Sequence, residues 1–335
     1  NGDEIETVDS IKYLAPRIYA SQFRAVTAND YKGLIPYIYP NVDSVTAYGG
    51  EELDPPEYGK VFISIKPRNG NFLSQITKQE IVRSLKQYSI AGIRPEIIDL
   101  SYLYVEVDST VYYNVNASTR PELVRTKVLN TLTTYASSSD VNNFGGRFKY
   151  SKVVSLIDDS DKSVTSNITK VKMRRDLSPA LNTFATYELC FGNKIHSKKD
   201  GYSIKSSGFN IDGITETVYM ADIQVSEGTG KIFFFKLENN VPVLVKNTAG
   251  SVDYERGEIL LDVVNITGTQ LANGFIEVQA IPESNDVIGL KDLYLQVDVR
   301  NSVVNMIEDT ISSGENISAT QYVSTSSYLN GKYVR

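Results

Sequence analysis

Residues 15–31, Ala15-Pro16-Arg17-Ile18-Tyr19-Ala20-Ser21-Gln22-Phe23-Arg24-Ala25-Val26-Thr27-Ala28-Asn29-Asp30-Tyr31, spell out a helix start. With Thr27 at the N-cap, Asp30 stands at N3. The hydroxyl can then accept from the N3 amide while the carboxylate accepts from the cap amide, a capping box with Asp in place of Glu. Val26 and Tyr31 have the spacing of a hydrophobic staple. Tyr31, Leu34, Ile35 and Ile38 then share one helical face, and Pro36, which lacks a backbone donor, kinks or ends the helix. Upstream, Asp9-Ser10 suit the cap of a short turn. Downstream, residues 42–48 read as a strand stopped by Gly49-Gly50, and the acidic, proline-bearing run 51–57 reads as a loop.

The same grammar recurs along the chain. An extended pattern over 60–67 leads to Thr77 and Glu80, a second capping box, with Ile76 and Ile81 as staple and Ile81, Val82, Leu85 and Tyr88 as the buried stripe before Gly92. Residues 97–115 alternate: Leu103, Val105 and Val107 face one way, and Tyr102, Tyr104 and Glu106 the other. Thr119 and Glu122 repeat the cap spacing ahead of Val124, Val128 and Leu132. A short helix near 150–157 and a strand over 164–173 complete an α+β unit resembling the split β-α-β sandwich.

From Phe184 the period becomes two. Strands are expected at 184–191, 218–225, 231–237, 241–246, 258–264 and 275–281, with turns at Glu227-Gly228-Thr229-Gly230 and Glu255-Arg256-Gly257-Glu258, forming a β-rich domain or insertion. Ile232-Phe233-Phe234-Phe235 is apolar on both strand faces, so both should be covered, one by the domain's own core and the other by a second layer or a partner. Leu293, Leu295, Val297 and Val299 alternate against Tyr294, Gln296, Asp298 and Arg300. Val304, Ile307 and Ile311 suggest a closing helix, and the polar stretch 313–335 is expected to order against a partner. The division is therefore 1–58, an N-terminal segment with the capped helix and first strand; 59–176, the α+β domain; 177–289, the β-rich domain; and 290–335, a strand, helix and polar tail.

With 335 residues, 41% hydrophobic and 22% charged, the chain has the composition of a globular protein with a sizeable core. No apolar run reaches bilayer-spanning length, so membrane insertion is not expected. The start Asn-Gly-Asp, without Met, suggests a fragment or processed product. A net charge of −6, from 40 acidic and 34 basic residues, argues against nucleic-acid binding, which needs clustered cations. The 22 tyrosines suit half-buried sheets and subunit contacts.

Candidate chemistry is sparse. His196, the only histidine, sits in a polar turn-like stretch without a nucleophile elbow and reads as a solvated loop residue. Cys190, the only cysteine, ends an apolar strand pattern and reads as a small core residue, so no thiol–histidine pair and no intrachain disulfide is expected. One Cys and one His exclude the common zinc spacings. Asp158-Asp159-Ser160-Asp161 lacks the glycine and closing glutamate of a calcium loop and reads as a helix-to-strand turn. Gly228-Thr229-Gly230-Lys231 lacks the spacing and hydroxyl of a phosphate loop and reads as a hairpin turn. Lys170, Lys172 and Arg174 alternate on one strand face, read as solvated or edge-protecting. No catalytic, cofactor-binding or metal-binding residue is assigned, and no cofactor is expected.

The order Ala-Pro, a spacer, Arg24-Ala25-Val26-Thr27-Ala28, Asp30-Tyr31, then Tyr39-Pro40-Asn41-Val42 and a strand resembles the signature of the baseplate J-like family of tailed bacteriophages. The layout of most of the chain is similar to the carboxy-terminal part of T4-type baseplate wedge subunits. That resemblance implies a non-enzymatic virion protein of the tail baseplate, assembled in the host cytoplasm. It would self-associate, as a homodimer within a ring that joins wedges around the tail hub, and would bind other baseplate wedge proteins. The alternatives are a receptor-binding tail adhesin and, behind it, a glycan-degrading tail enzyme.

Overall fold

The computed structural model describes residues 8–53, 55–115, 117, 120–138, 141–309, 328–329 and 332–333. In chain order the elements are α1 (Val8–Ser21), α2 (Ala28–Ile38), β1 (Val42–Gly49), β2 (Lys60–Pro67), α3 (Gln75–Leu85), β3 (Arg94–Ile98), β4 (Ser101–Tyr113), α4 (Pro121–Ala136), β5 (Arg147–Phe148), α5 (Tyr150–Asp158) and β6 (Val164–Leu177). The β-rich part adds β7 (Phe184–Cys190), β8 (Ile204–Ser206), β9 (Phe209–Ile211), β10 (Val218–Ser226), β11 (Thr229–Glu238), β12 (Val241–Asp253), β13 (Glu258–Thr269) and β14 (Ile276–Ala280). The order closes with β15 (Val287–Ile288), β16 (Leu293–Val297), β17 (Val303–Glu308), β18 (Tyr328–Leu329) and β19 (Lys332–Tyr333). The class is α+β, with strand dominating.

The capping box forms as expected. Thr27 Oγ1 accepts from the Asp30 amide at 3.4 Å, and the Asp30 carboxylate accepts from the Thr27 amide at 2.8 Å. That carboxylate also takes the Val26 amide at 3.1 Å. Of the staple pair, Val26 is exposed while Tyr31 is fully buried. Asp30 satisfies two orphan amides and Thr27 one, so Thr27→Ala should cost about 1 kcal/mol and Asp30→Ala more. Thermal unfolding of the two variants checks the order. Pro36 does not end the helix, which runs on to Ile38.

Three helix starts need correction. Asp9-Ser10 lie within α1, a helix of 14 residues rather than a short turn; it ends where Gln22 and Phe23 adopt φ of +47° and +58°. The cap of α3 is Ser74, whose hydroxyl accepts from the Thr77 amide at 3.1 Å, so the helix begins before Thr77 and leaves Ile76 exposed. For α4 the cap position is Arg120, with Pro121 preset for the first turn; Thr119 lies outside the described residues.

The expected closing helix is the strand β17, which pairs parallel with β4 from Val303 opposite Asp108 to Glu308 opposite Tyr113. The Val304–Ile307 spacing is helical, and in the strand the two fall on opposite faces, Val304 buried and Ile307 exposed; the open edge of β4 supplies the backbone partners that override the pattern. Ile311 and the polar stretch 313–327 lie outside the described residues. The long strand expected over 97–115 is two strands, β3 and β4, in different sheets.

Residues 25–97 close one core. β1 and β2 are antiparallel, β3 joins β2 in parallel, and Tyr31, Leu34, Ile35, Ile81 and Leu85 pack against Val61, Ile63 and Ile65. Position 58/59 therefore falls between paired strands, and the break between cores is at 98–101. In the larger unit β4 is antiparallel to β6, with β16 and β17 lying end to end along its other edge. From β6 the sheet continues through β14 and β8 to β10, and β10, β11, β12, β13 and β9 close into a small barrel. Ile232 and Phe234 are fully buried in the barrel core, whereas Phe233 and Phe235 remain half-buried on the other face.

Candidate functional site

The sequence-nominated groups stay apart. His196 Nδ1 and Glu283 Oε2 lie 2.7 Å apart in an exposed pair, while Cys190, at the end of β7, faces Glu258 in register. No hydrogen bond joins Cys190 to His196 among the described residues. Burial pushes the Cys190 thiol upward, away from a reactive thiolate. Asp158-Asp159-Ser160-Asp161 is the turn between α5 and β6. Asp161 is held down at about 2 by its bond from Lys127 and by the Ser163 side chain and amide. Gly228, at φ +78°, lies in the hairpin turn from β10 to β11, and Lys231 donates to Asn247 at 2.9 Å. No cluster of metal-ligating side chains occurs among the described residues.

Arg174 departs from its expected place on a solvated face. Lys170 is exposed and Lys172 pairs with Asp108, but Arg174 is buried because β14 covers β6 on the side away from β4 just there. Its guanidinium meets Glu106 at 2.6 Å, Asp176 at 3.0 Å, Asp298 at 3.1 Å and Glu277 at 4.0 Å, and lies 4.3 Å from the centre of the Tyr104 ring. Register explains the convergence: Tyr104 and Gln279 lie directly opposite Arg174 on β4 and β14, and Glu106 and Glu277 are their same-face neighbours. Burial raises Glu106, Asp176 and Glu277, and the guanidinium pulls each partly back. Tyr104 is pushed up to about 12 by burial and by nearby Asp176. With all four carboxylates drawn to one cation, the cluster welds four chain segments together.

A second polar-aromatic assembly joins the two cores. Tyr102, Tyr294 and Leu100 are its buried centre. The Tyr102 ring stacks on Tyr104 at 5.3 Å and meets Tyr294 edge-on at 5.7 Å, and Phe144 meets Tyr294 at 5.4 Å. Across the joint, Tyr294 Oη donates to Asp43 at 2.9 Å, Tyr102 Oη donates to the Asn71 carbonyl at 2.7 Å, and Ser44 Oγ bonds Asn143. Burial pushes both phenols upward, so they remain donors across the physiological range. The covalent connection between the cores is only Asp99-Leu100.

The polar faces of β4, β6 and β16 that build these assemblies are legible as alternation in the sequence. That they meet is a matter of strand pairing across nearly two hundred residues, for which the sequence carries no local signal. On the barrel, Tyr202, Phe233, Phe235 and Tyr219 form a half-exposed aromatic surface, with ring centres 5.7–6.1 Å apart.

Residues 27–98 match the family model described as baseplate structural protein gp6, C-terminal domain I, and residues 101–176 match the model for its C-terminal domain III. Baseplate wedge protein gp6 of Enterobacteria phage T4 is 26% identical over 248 residues, covering 69% of this chain and 36% of that protein. The chain thus spans 36% of the length of that relative. A cryo-EM structure of the anti-feeding prophage baseplate, 6-fold symmetrised, overlaps 50% of this chain and 37% of its own at 19% identity, with a TM-score of 0.35, too loose a likeness to bear on function. The sequence matches support a gp6-like structural protein of the virion tail baseplate.

Proposed function

We propose, from the premise of a gp6-like protein in the virion tail baseplate, that this chain is a non-enzymatic subunit of a contractile-tail bacteriophage. It self-associates as a homodimer to join neighbouring wedges into a ring around the hub, and it binds other wedge proteins through its remaining faces. Kinship with the baseplate J-like family, and a split β-α-β-like likeness of the β4-α4-α5-β6 unit, belong to the same proposal. The observation that carries it is the agreement of boundaries. The two matched families part at 98 and 101, where the two cores part and where Asp99-Leu100 link them. Two stiff cores joined by a short link and a tyrosine-rich joint suit a part that transmits displacement between neighbours.

Light scattering on the chain, alone and mixed with other baseplate proteins, tests the proposal. The expected result is a dimer whose interface buries at least about 1,000 Å² in total with aromatic anchors. A strictly monomeric mass at high concentration, with no complex in the mixtures, would sink it. The aromatic surface around Phe235 favours a second reading, a receptor-binding adhesin. Glycan-array binding that disappears in Phe235→Ala would establish that reading instead.

A further inference from the structure

A hollow of about 360 Å³ opens between the end of α4, the loop before β5 and the start of α5. Arg147, Lys149 and Lys152 line it beside Tyr135 and the backbone of Gly145 and Gly146, and among the described residues no carboxylate lines it. Many of this chain's cations have acidic partners: Lys60, Lys78, Lys127, Arg174, Lys194 and Lys236 are all ion-paired. Among the described residues no carboxylate lies within ion-pair distance of Arg147, Lys149 or Lys152. In a chain of net charge −6, three cations that form no ion pair among the described residues, Lys152 lying over the Tyr135 ring, gather around one concavity and make a local field that attracts an anionic protrusion.

Such a protrusion stands next to it. The loop after β1 exposes Glu51 and Glu52 on a single 3₁₀ turn, Gly50–Glu52. Bonds from the Leu53 and Glu57 amides to the Gly50 carbonyl, at 3.3 and 2.7 Å, fix its shape. One short segment borders both features. The Gly145 amide donates to the Leu290 carbonyl and the Gly289 amide to the Gly146 carbonyl beside the hollow, while Lys291 reaches Glu52 at 3.6 Å beside the loop. A basic hollow and an acidic projection side by side form a patch complementary to itself, which is what a two-fold contact requires.

We propose that a second copy of this chain occupies the hollow. Its Glu51 and Glu52 seat against Lys149, Lys152 and Arg147 of the first copy, and the reciprocal contact forms across a two-fold axis. This rests on the self-association proposed above and names the surface that carries it.

The test uses the 335-residue chain in two charge-reversed forms, Lys149→Glu with Lys152→Glu, and Glu51→Lys with Glu52→Lys, followed by sedimentation velocity and native mass spectrometry. Each form alone should self-associate at least about tenfold more weakly than the wild type, since like charges then oppose one another at both contacts. Mixed, the two forms should pair with each other, because acidic hollow meets basic loop at one contact and the native pair remains at the other. Wild-type dimerisation should also weaken as salt rises. A wild-type chain that is monomeric removes the self-association reading and this contact with it. A wild-type dimer that persists unchanged in both reversed forms, or reversed forms that fail to pair when mixed, overturns this contact and leaves the reading standing. The exposed side chains can also be neutralised, as Lys149→Gln with Lys152→Gln, and should weaken the dimer in the same direction.

Discussion

Arg174→Met should unfold at a much lower denaturant concentration than the wild type at pH 7, with a loss of about 3–5 kcal/mol, the range for leaving a buried charge without its partner. Among the described residues no other cation lies within ion-pair distance of Glu106, Asp176, Glu277 or Asp298, and the guanidinium is itself buried. Removing it leaves carboxylates facing one another, while the apolar replacement keeps contact with the Tyr104 ring. The size of the loss should depend on pH, and its sign follows from the carboxylates. Glu106, Asp176 and Glu277 sit above their ordinary range because burial disfavours the charged form. A group raised on folding stabilises most below its unfolded value, and that contribution is lost as pH rises through the folded value. In Arg174→Met these groups move higher still, so the deficit should be smaller at about pH 5 than at pH 7. Equal deficits at both pH values would mean that Arg174 acts by packing rather than by charge. Asp161 carries the opposite sign: held at about 2, it stabilises above the ordinary carboxylate range and loses that effect as pH falls toward 2.

Phe234→Ala should cost about 3–5 kcal/mol, the range for truncating a buried aromatic. Phe234 is wholly buried and meets Phe209 edge-on at 5.4 Å within the barrel core. Phe233, its neighbour on the opposite face, touches Tyr202 and Phe235 but stays half-exposed, so Phe233→Ala should cost less than half as much. Chemical denaturation of the pair reads the difference directly. Equal losses would mean that the two faces of β11 are covered alike. The expectation that both faces of Ile232-Phe233-Phe234-Phe235 need cover is met on one side by the barrel and on the other only by a partial layer of rings.

What the sequence made legible follows from the reach of each signal. Period-two alternation and turn glycines located β10 to β14 to within a few residues at most ends, because each depends on neighbours a few positions away. β12 runs on past 246, since its far end pairs with β13. The Thr27–Asp30 box is equally local and is present as read. The errors at β17 and Arg174 share one cause. β17 looked helical because its parallel partner, β4, lies almost two hundred residues earlier, and Arg174 looked solvated because Gln279 and Glu277 cover it from β14. The cations of the basic hollow lie in one contiguous run, Gly145-Gly146-Arg147-Phe148-Lys149-Tyr150-Ser151-Lys152, but nothing in that run shows that Tyr135 and Val141 complete a concavity with it.

The two strands β16 and β17 lie end to end on the free edge of β4, although β4 is made early and they are made late. During synthesis that edge must therefore wait, its peptide groups satisfied by water or by a chaperone, until the whole barrel has left the ribosome. Through that interval the nascent chain carries an open template, and β16 and β17 close it when they arrive.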